Sequence, residues 1–527
     1  MRYLLTLTVC IILFQCDELS SSNIIENQYI EWKHYLGDPG RSHYSQLSEF
    51  NPKNVKFLKV AWEYENKDYG QMQMNPIVVD TLLYGVSSAL RVFALDARSG
   101  EEVWVFGDSL KTFFSTSRGV SYWESGNDKR VFYTKGSDLW ALNAQTGQPT
   151  PSFGKGGKID LRSGLPASAQ EKFVISSTPG TIYKNLIIMP LRLSEGVGSA
   201  PGDVMAFDVI TGELAWSFHT IPHASEPGIE TWGDPNISES PIVGAANNWA
   251  GMALDQKREI IYIPTGSAAP DFYGAIRPGK NLFSNCLLAP DANTGKRIWH
   301  YQFIHHDLWD RDPPSPPNLI TVNHSGKTIP AVAQVTKQGY VFVFDRETGR
   351  PLFDIEEVAV PESELPGEQT WPTQPLPIKP ARFARQSNEL TTQDISPYAP
   401  NRDSLIAIFE QADKRSFAPP SLKPALLLPG YDGGAEWGGT AADPYKGILY
   451  INSNEMAWFL EMRTNNKKGE KMIAGKRIYR QNCAVCHMTN RSGSKASGYP
   501  SLLAIKARLS ENNIHDIIVQ GKGIMPG

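Results

Sequence analysis

Apolar positions along this chain gather in short runs that break at an Asp or Asn and resume behind a glycine four residues later. Ala94-Leu-Asp96-Ala-Arg-Ser-Gly100-Glu-Glu-Val-Trp104 returns as Ala206-Phe-Asp208-Val-Ile-Thr-Gly212-Glu-Leu-Ala-Trp216 and as Ala289-Pro-Asp291-Ala-Asn-Thr-Gly295-Lys-Arg-Ile-Trp299. Ala141-Leu-Asn143-Ala-Gln-Thr-Gly147 keeps the turn without the tryptophan, and Val343-Phe-Asp345-Arg-Glu-Thr-Gly349 runs on to Phe353. In each copy an apolar strand end meets an Asp or Asn able to hydrogen-bond its own turn, then a Gly free to take positive φ, then a returning strand. The pattern predicts the same hairpin five times.

The glycines at 100, 147, 212, 295 and 349 are irregularly spaced, which fits a β-propeller with room for loops better than a strict solenoid. Any one copy could be an unrelated Asp-Gly turn; fixed offsets held through five copies argue for one repeated unit. Composition points the same way, because 13 Trp, 44 Gly and 38 Pro suit many short strands and tight turns. The predicted class is therefore all-β. The proline-rich stretch from Val360 to Pro380 is expected to be a surface excursion without regular structure. With 55 acidic against 51 basic side chains, a net charge of −4 leaves no basic excess for nucleic acid, which is excluded as a partner.

At the N-terminus, Arg2, the apolar run Tyr3 to Phe14 and the polar Ser20-Ser21-Ser22 read as an export signal over residues 1–22, too short to span a bilayer. Leu13-Phe14-Gln15-Cys16 resembles a bacterial lipobox, although Gln15 is bulkier than the residue usual there. The expectation is an exported chain in the periplasm or cell envelope, lipid-anchored through Cys16, with an ordinary cleaved signal as the alternative. Beyond this segment stand Cys286, Cys483 and Cys486, too few for a disulfide framework.

The close pair has its own reading. Cys483-Ala-Val-Cys486-His487 places two thiols and an imidazole on one helical turn, the arrangement that attaches haem c. Zinc would need a second ligand pair, and a thioredoxin-like site would not need the histidine. Met525, in Gly523-Ile-Met525-Pro-Gly527, is the expected second axial ligand opposite His487, and Lys467 to Tyr479 reads as a helix. The densest polar cluster, Tyr301-Gln-Phe-Ile-His305-His306-Asp307-Leu-Trp309-Asp310-Arg311-Asp312-Pro313-Pro314, follows the third tryptophan-bearing copy. Residues alone leave it open as a metal site, a general base with orienting partners, or a polar loop stiffened by proline.

The repeated cassette resembles the tryptophan-docking motif of PQQ-dependent (quinoprotein) alcohol and glucose dehydrogenases, and the likeness covers most of residues 31–460. The resemblance implies an eight-bladed type of β-propeller, incomplete in this chain. It also implies that Asp310, the second aspartate of a His-Asp-x-Trp-Asp segment, is the catalytic base. Lys337, in Val335-Thr-Lys337-Gln-Gly339, would hydrogen-bond the quinone oxygens. Trp249, in Asn247-Asn248-Trp249, would form the floor beneath PQQ as part of a strand, and Arg118 would pair with a PQQ carboxylate. Ca²⁺ is expected at Glu195 and Asp310. Two positions depart from the pattern: Phe114 stands where membrane-type glucose dehydrogenases carry a histidine, and Lys280, where relatives often have Asp, is expected at the rim of the site.

In similar proteins the cytochrome is inserted into the propeller. The chain accordingly reads as a signal (1–22), a propeller (31–460) and a small α-helical cytochrome c domain (467–527), the last two truncated. The implied activity is oxidation of a small alcohol or sugar, with electrons passing from PQQ to haem c and on to a downstream acceptor, a cytochrome or quinone of the respiratory chain. The rival is a non-catalytic envelope scaffold with an electron-transfer cytochrome, whose signature would be loss of Asp310 or Lys337. A propeller of the nitrite-reductase type would place its cytochrome first, the reverse of the order here.

Overall fold

The computed structural model describes residues 29–68, 70–108, 116–464, 475–476, 479, 483–493 and 499–520. Among the described residues, six of the ten antiparallel sheets form a series along the chain. Sheet 1 is built from Ile77–Val79, Leu82–Val86, Val92–Asp96 and Glu102–Phe106, and sheet 2 from Ser121–Ser125, Asp128–Lys135, Asp138–Asn143 and Lys158–Asp160. Sheet 3 holds Thr181–Tyr183, Leu186–Met189, Val204–Asp208 and Leu214–Phe218; sheet 4 holds Ala253–Asp255, Ile260–Pro264, Cys286–Pro290 and Arg297–Gln302. Sheet 5 has three strands, Asn318–His324, Lys327–Val335 and Val341–Asp345, and sheet 6 two, Thr440–Asp443 and Ile448–Ile451. Inner strands such as Ile260–Pro264 and Cys286–Pro290 are buried at every position because both faces meet a neighbouring sheet. The core is accordingly a series of layers between successive sheets, with Trp104, Val131 and Leu142 between sheets 1 and 2 and Ile188, Trp216 and Ile261 between sheets 3 and 4.

The five predicted hairpin turns are present, and a sixth appears. Asp96, Asp208, Asp291 and Asp345 each accept two backbone N–H groups of their own turn through one carboxylate oxygen, and Asn143 does so through its amide oxygen. The following glycines sit at positive φ, 71° at Gly295 for example. Asp443 closes the same turn on Tyr445 and Lys446, ahead of Gly447.

Each tryptophan reaches forward to the next sheet. A Cβ on Gly295 would stand 2.5 Å from the Trp216 ring, and one on Gly349 2.6 Å from Trp299. Trp104 covers Gly147 and Trp62 covers Gly100 in the same way. The indole N–H then donates to the carbonyl three residues before that glycine: Ala97, Ala144, Ala292 or Arg346. Sheet 2 lacks the tryptophan, and Phe153 and Ile159 cover Gly212 instead. There Arg130 Nη1 donates to Val209 O at 2.8 Å and Ile210 O at 3.0 Å, while its other nitrogens bind Asp128.

Two expectations are corrected. Part of the stretch from Val360 to Pro380 is regular, since Thr373–Pro377 pairs with Ile355–Ala359; a two-stranded ribbon leaves Pro375 and Pro377 edge positions that need no donor. Trp249 lies in the loop after Gly244–Ala245 and before the strand Ala253–Asp255, not within a strand. Among the described residues no helix is long and apolar enough to cross a membrane. Cys16, Phe114, Met525 and most of Lys467 to Tyr479 lie outside the described residues.

Candidate active site

Loops from successive sheets converge on a cavity of about 480 Å³. The loop leaving sheet 4, residues 303–317, supplies its chemistry and is pinned by Asp307, which is buried. Asp307 accepts the backbone N–H of Trp309 at 2.8 Å and of Arg311 at 2.7 Å, the Asn285 amide at 2.8 Å, and the Ser267 hydroxyl. Trp309 is buried and donates its indole N–H to Ala418 O. His306 Nε2 meets Glu368 at 2.9 Å and Nδ1 meets Gly279 O at 2.9 Å, so this histidine fastens two neighbouring loops. The loop places Asp310 at φ 56°, a conformation costly for a residue with a Cβ and held here by its surroundings.

Asp310, Asp312 and Lys337 form one charged group on the cavity wall. Lys337 Nζ lies 3.2 Å from Asp310 Oδ1 and 3.1 Å from Asp312 Oδ1, and donates to the Asp310 carbonyl at 3.1 Å. The other oxygen of Asp312 accepts the Trp249 indole N–H at 2.5 Å. Burial pushes Asp310 well above the usual carboxylate range, Asp312 adds to the rise, and Lys337 opposes it. Burial also acts to raise Asp312, but Lys337 and the hydrogen bonds from Asp310, Trp249 and Lys337 overcome it and hold this carboxyl at about 2. Burial would lower Lys337, yet the two carboxylates keep it above its ordinary value and charged. The group thus separates a permanent ion pair, Asp312 with Lys337, from a more basic carboxylate, Asp310.

Across the cavity the Arg118 guanidinium lies between two indoles, 5.3 Å from the Trp249 ring and 4.9 Å from the Trp437 ring. It donates to Thr178 at 2.8 Å and Ser177 at 3.2 Å, while its Nε is buried with no partner. Burial lowers it to about 10. Glu195 reaches the same cavity from an exposed position. At the other end of the chain, Ala484–His487 is a single helical turn, His487 is buried, and its Nδ1 meets Pro500 O at 2.9 Å. The adjoining Tyr499 lines the cavity.

Residues 32–502 match the family described as "PQQ: Glucose/ethanol/alcohol dehydrogenase, beta-propeller domain". The chain belongs to this quinoprotein family. It is 31% identical over 467 residues to the glycerol dehydrogenase large subunit of Gluconobacter thailandicus, matching 83% of this chain and 62% of that protein. It is 33% identical over 461 residues to the quinoprotein glucose dehydrogenase of Gluconobacter oxydans, matching 80% of this chain and 55% of that one. The chain therefore spans less than two thirds of these relatives. Its fold resembles that of the quinohemoprotein alcohol dehydrogenase from Comamonas testosteroni, with a TM-score of 0.63 at 23% identity, covering 84% of this chain and 60% of that one.

Of the residues expected from the sequence, Asp310, Lys337, Trp249, Arg118 and Glu195 all line this one cavity. Lys280 is not among the lining residues; its ammonium lies over the Trp371 ring at 4.9 Å. Among the described residues no group of three or more His, Cys, Asp or Glu has the geometry of a metal site. Asp312, Asp271, Trp437 and Tyr499 also line the cavity and were not singled out from the sequence. Asp312 could have been found, since it follows Asp310 by two residues within the polar cluster; the other three carry no local signal.

Proposed function

We propose that this chain is the PQQ- and haem-bearing part of an exported dehydrogenase that oxidises a CH–OH substrate. The observation that carries the reading is the Asp310–Lys337–Asp312 group beside Trp249 in one closed-in cavity. PQQ when bound supplies an electrophilic quinone that accepts a hydride equivalent from the carbinol carbon. Trp249 offers an indole for stacking on a planar ring. Arg118 offers a buried N–H with no other partner, suited to a carboxylate. Asp310 takes the substrate hydroxyl proton, its raised basicity suiting a general base, and Lys337 stabilises negative charge on the quinone oxygens.

Six carboxyl residues, Glu195, Asp271, Asp310, Asp312, Asp432 and Glu436, face Arg118, Arg192 and Lys337 in the cavity lining. That acidic excess suits Ca²⁺ held by Glu195 and Asp310. At the far end, Cys483 and Cys486 would carry haem c by thioether bonds, with His487 and Met525 as the residues that would hold its iron. The bond from His487 Nδ1 to a carbonyl supports this, because a ligating imidazole holds its other nitrogen that way. The position of Tyr499, next to Pro500 and in the cavity wall, would bring residues 483–500 beside the cavity, where a haem c held there would supply one-electron transfer toward a downstream cytochrome or quinone. Cys16 would anchor the chain to the envelope membrane.

The full chain loaded with PQQ, Ca²⁺ and haem should show substrate-dependent reduction of its haem band with alcohols or sugars. Asp310→Asn should bind PQQ with unchanged affinity and lose turnover roughly 10²–10⁴-fold. Unchanged turnover would refute Asp310 as the base, and a haem band that stays oxidised with every CH–OH compound would leave the scaffold reading in its place.

A further inference from the structure

Asp271 stands in the cavity wall without a role in the chemistry above. It is 6% exposed, lines the cavity, and among the described residues no hydrogen bond or ion pair reaches its carboxyl. Its backbone, by contrast, is fixed. Pro270 O accepts Arg277 Nη2 at 3.0 Å, and the same fully buried guanidinium donates to Asp307 O at 2.5 Å and Asn281 Oδ1 at 2.8 Å. Arg277 thereby ties the Asp271 segment to the loop that carries the base. Asp271 is also close enough to Asp310 and Asp312 for their charges to interact. A second polar atom is stranded in the same wall, the buried Oε1 of Gln73.

A carboxyl that lines the cavity without a protein partner has hydrogen-bonding capacity left for a ligand hydroxyl, and is left unpaired when an apolar ligand displaces solvent from it. Burial, then Glu195, Asp312 and Asp307, push Asp271 well above the usual carboxylate range. A carboxyl in either protonation state can accept a hydrogen bond, which a substrate hydroxyl can donate. We infer that Asp271 is a specificity residue that binds a second hydroxyl of the substrate, so that the site takes polyhydroxylated CH–OH compounds in preference to monohydric alcohols of equal carbon count. The inference rests on the dehydrogenase reading above. A monohydric alcohol would occupy the cavity and leave Asp271 desolvated and unpaired, the circumstance in which a polar site discriminates most strongly.

The test compares glycerol with 1-propanol on the full chain loaded with PQQ, Ca²⁺ and haem. The wild-type chain should favour glycerol in kcat/KM by roughly 10²-fold or more. Asp271→Leu should lower that preference roughly 10–100-fold, chiefly through the KM for glycerol, while Asp271→Asn, still a donor and acceptor, should keep most of it. PQQ affinity, read from quenching of tryptophan fluorescence, should be the same in all three. Should leucine prevent folding, Asp271→Ala removes the carboxyl without adding bulk and carries the same expectation. An undiminished preference in the leucine or alanine variant overturns the inference and leaves the dehydrogenase reading standing. So does a loss of PQQ affinity, which would make Asp271 a cofactor-holding residue. A wild-type chain that oxidises neither alcohol, nor any sugar, removes the dehydrogenase reading and this inference with it.

Discussion

The outer turns of the sheets and the loop over the cavity are held in opposite ways. At the turn ending in Gly295, the chemistry is local and repeated: Asp291 caps its own backbone and one indole from the preceding sheet closes the site. At the cavity, His306 and Asp310 sit at φ 48° and 56°, and Asp307 and Glu368 draw in partners from distant loops to keep them there. The outer turns tolerate a change of chemistry: before Gly212, Arg130 donates to Val209 O in place of an indole, and Phe153 and Ile159 cover the glycine. The cavity loop uses each partner once. Redundant contacts serve stability, whereas single, long-range contacts fix the position of a reacting group.

Five variants would break or sharpen that contrast. Trp216→Ala should cost about 3–5 kcal/mol of stability, measured by denaturant unfolding, with turnover per folded molecule preserved; a fall in turnover would tie the outer turn to the site. Asp307→Ala should do the reverse, lowering stability by about 2 kcal/mol while turnover drops roughly 10²-fold through misplacement of Asp310. Equal losses in both would show that the loop is merely structural. Arg130→Met should cost about 1–2 kcal/mol, since it strands two carbonyls. Arg130→Lys should recover only part, an ammonium being unable to span both carbonyls and Asp128.

The smallest effect concerns pH. As the proposed base, Asp310 would act only when deprotonated, so kcat/KM should fall as pH drops through its raised pKa. Asp312→Asn removes a neighbour that raises Asp310 and leaves Lys337, which lowers it. The acidic limb of the profile should therefore move to lower pH; a limb that stays in place would show that Asp312 does not tune the base.

The same contrast explains what could be read without coordinates. The hairpins were legible because Asp291, Thr294 and Gly295 lie within five residues and depend on one another alone. The turn at Asp443 escaped notice because Lys446 stands where the other copies carry Ser or Thr, although the geometry survives. Asp310 and Lys337 were legible through family likeness, and their separation of 3.2 Å is consistent with it. Arg130 was not, because its carbonyl partners lie 79 and 80 residues away. Asp271 was not, because what distinguishes it is the absence of a partner, which only a packed structure reveals.

The forward reach of each tryptophan has a dynamic consequence. The hairpins at Gly147, Gly212, Gly295 and Gly349 are each latched by the sheet before, so opening one sheet loosens the next, and stability is shared between neighbours as in a linear array. Amide hydrogen exchange should then form a gradient. The slowest protons should lie in Ile260–Pro264 and Cys286–Pro290, latched and covered on both faces. The fastest should lie in Ile448–Ile451, whose side chains are exposed or half-buried throughout. The cavity loop, joined directly to sheet 4, would be among the last parts of the chain to open.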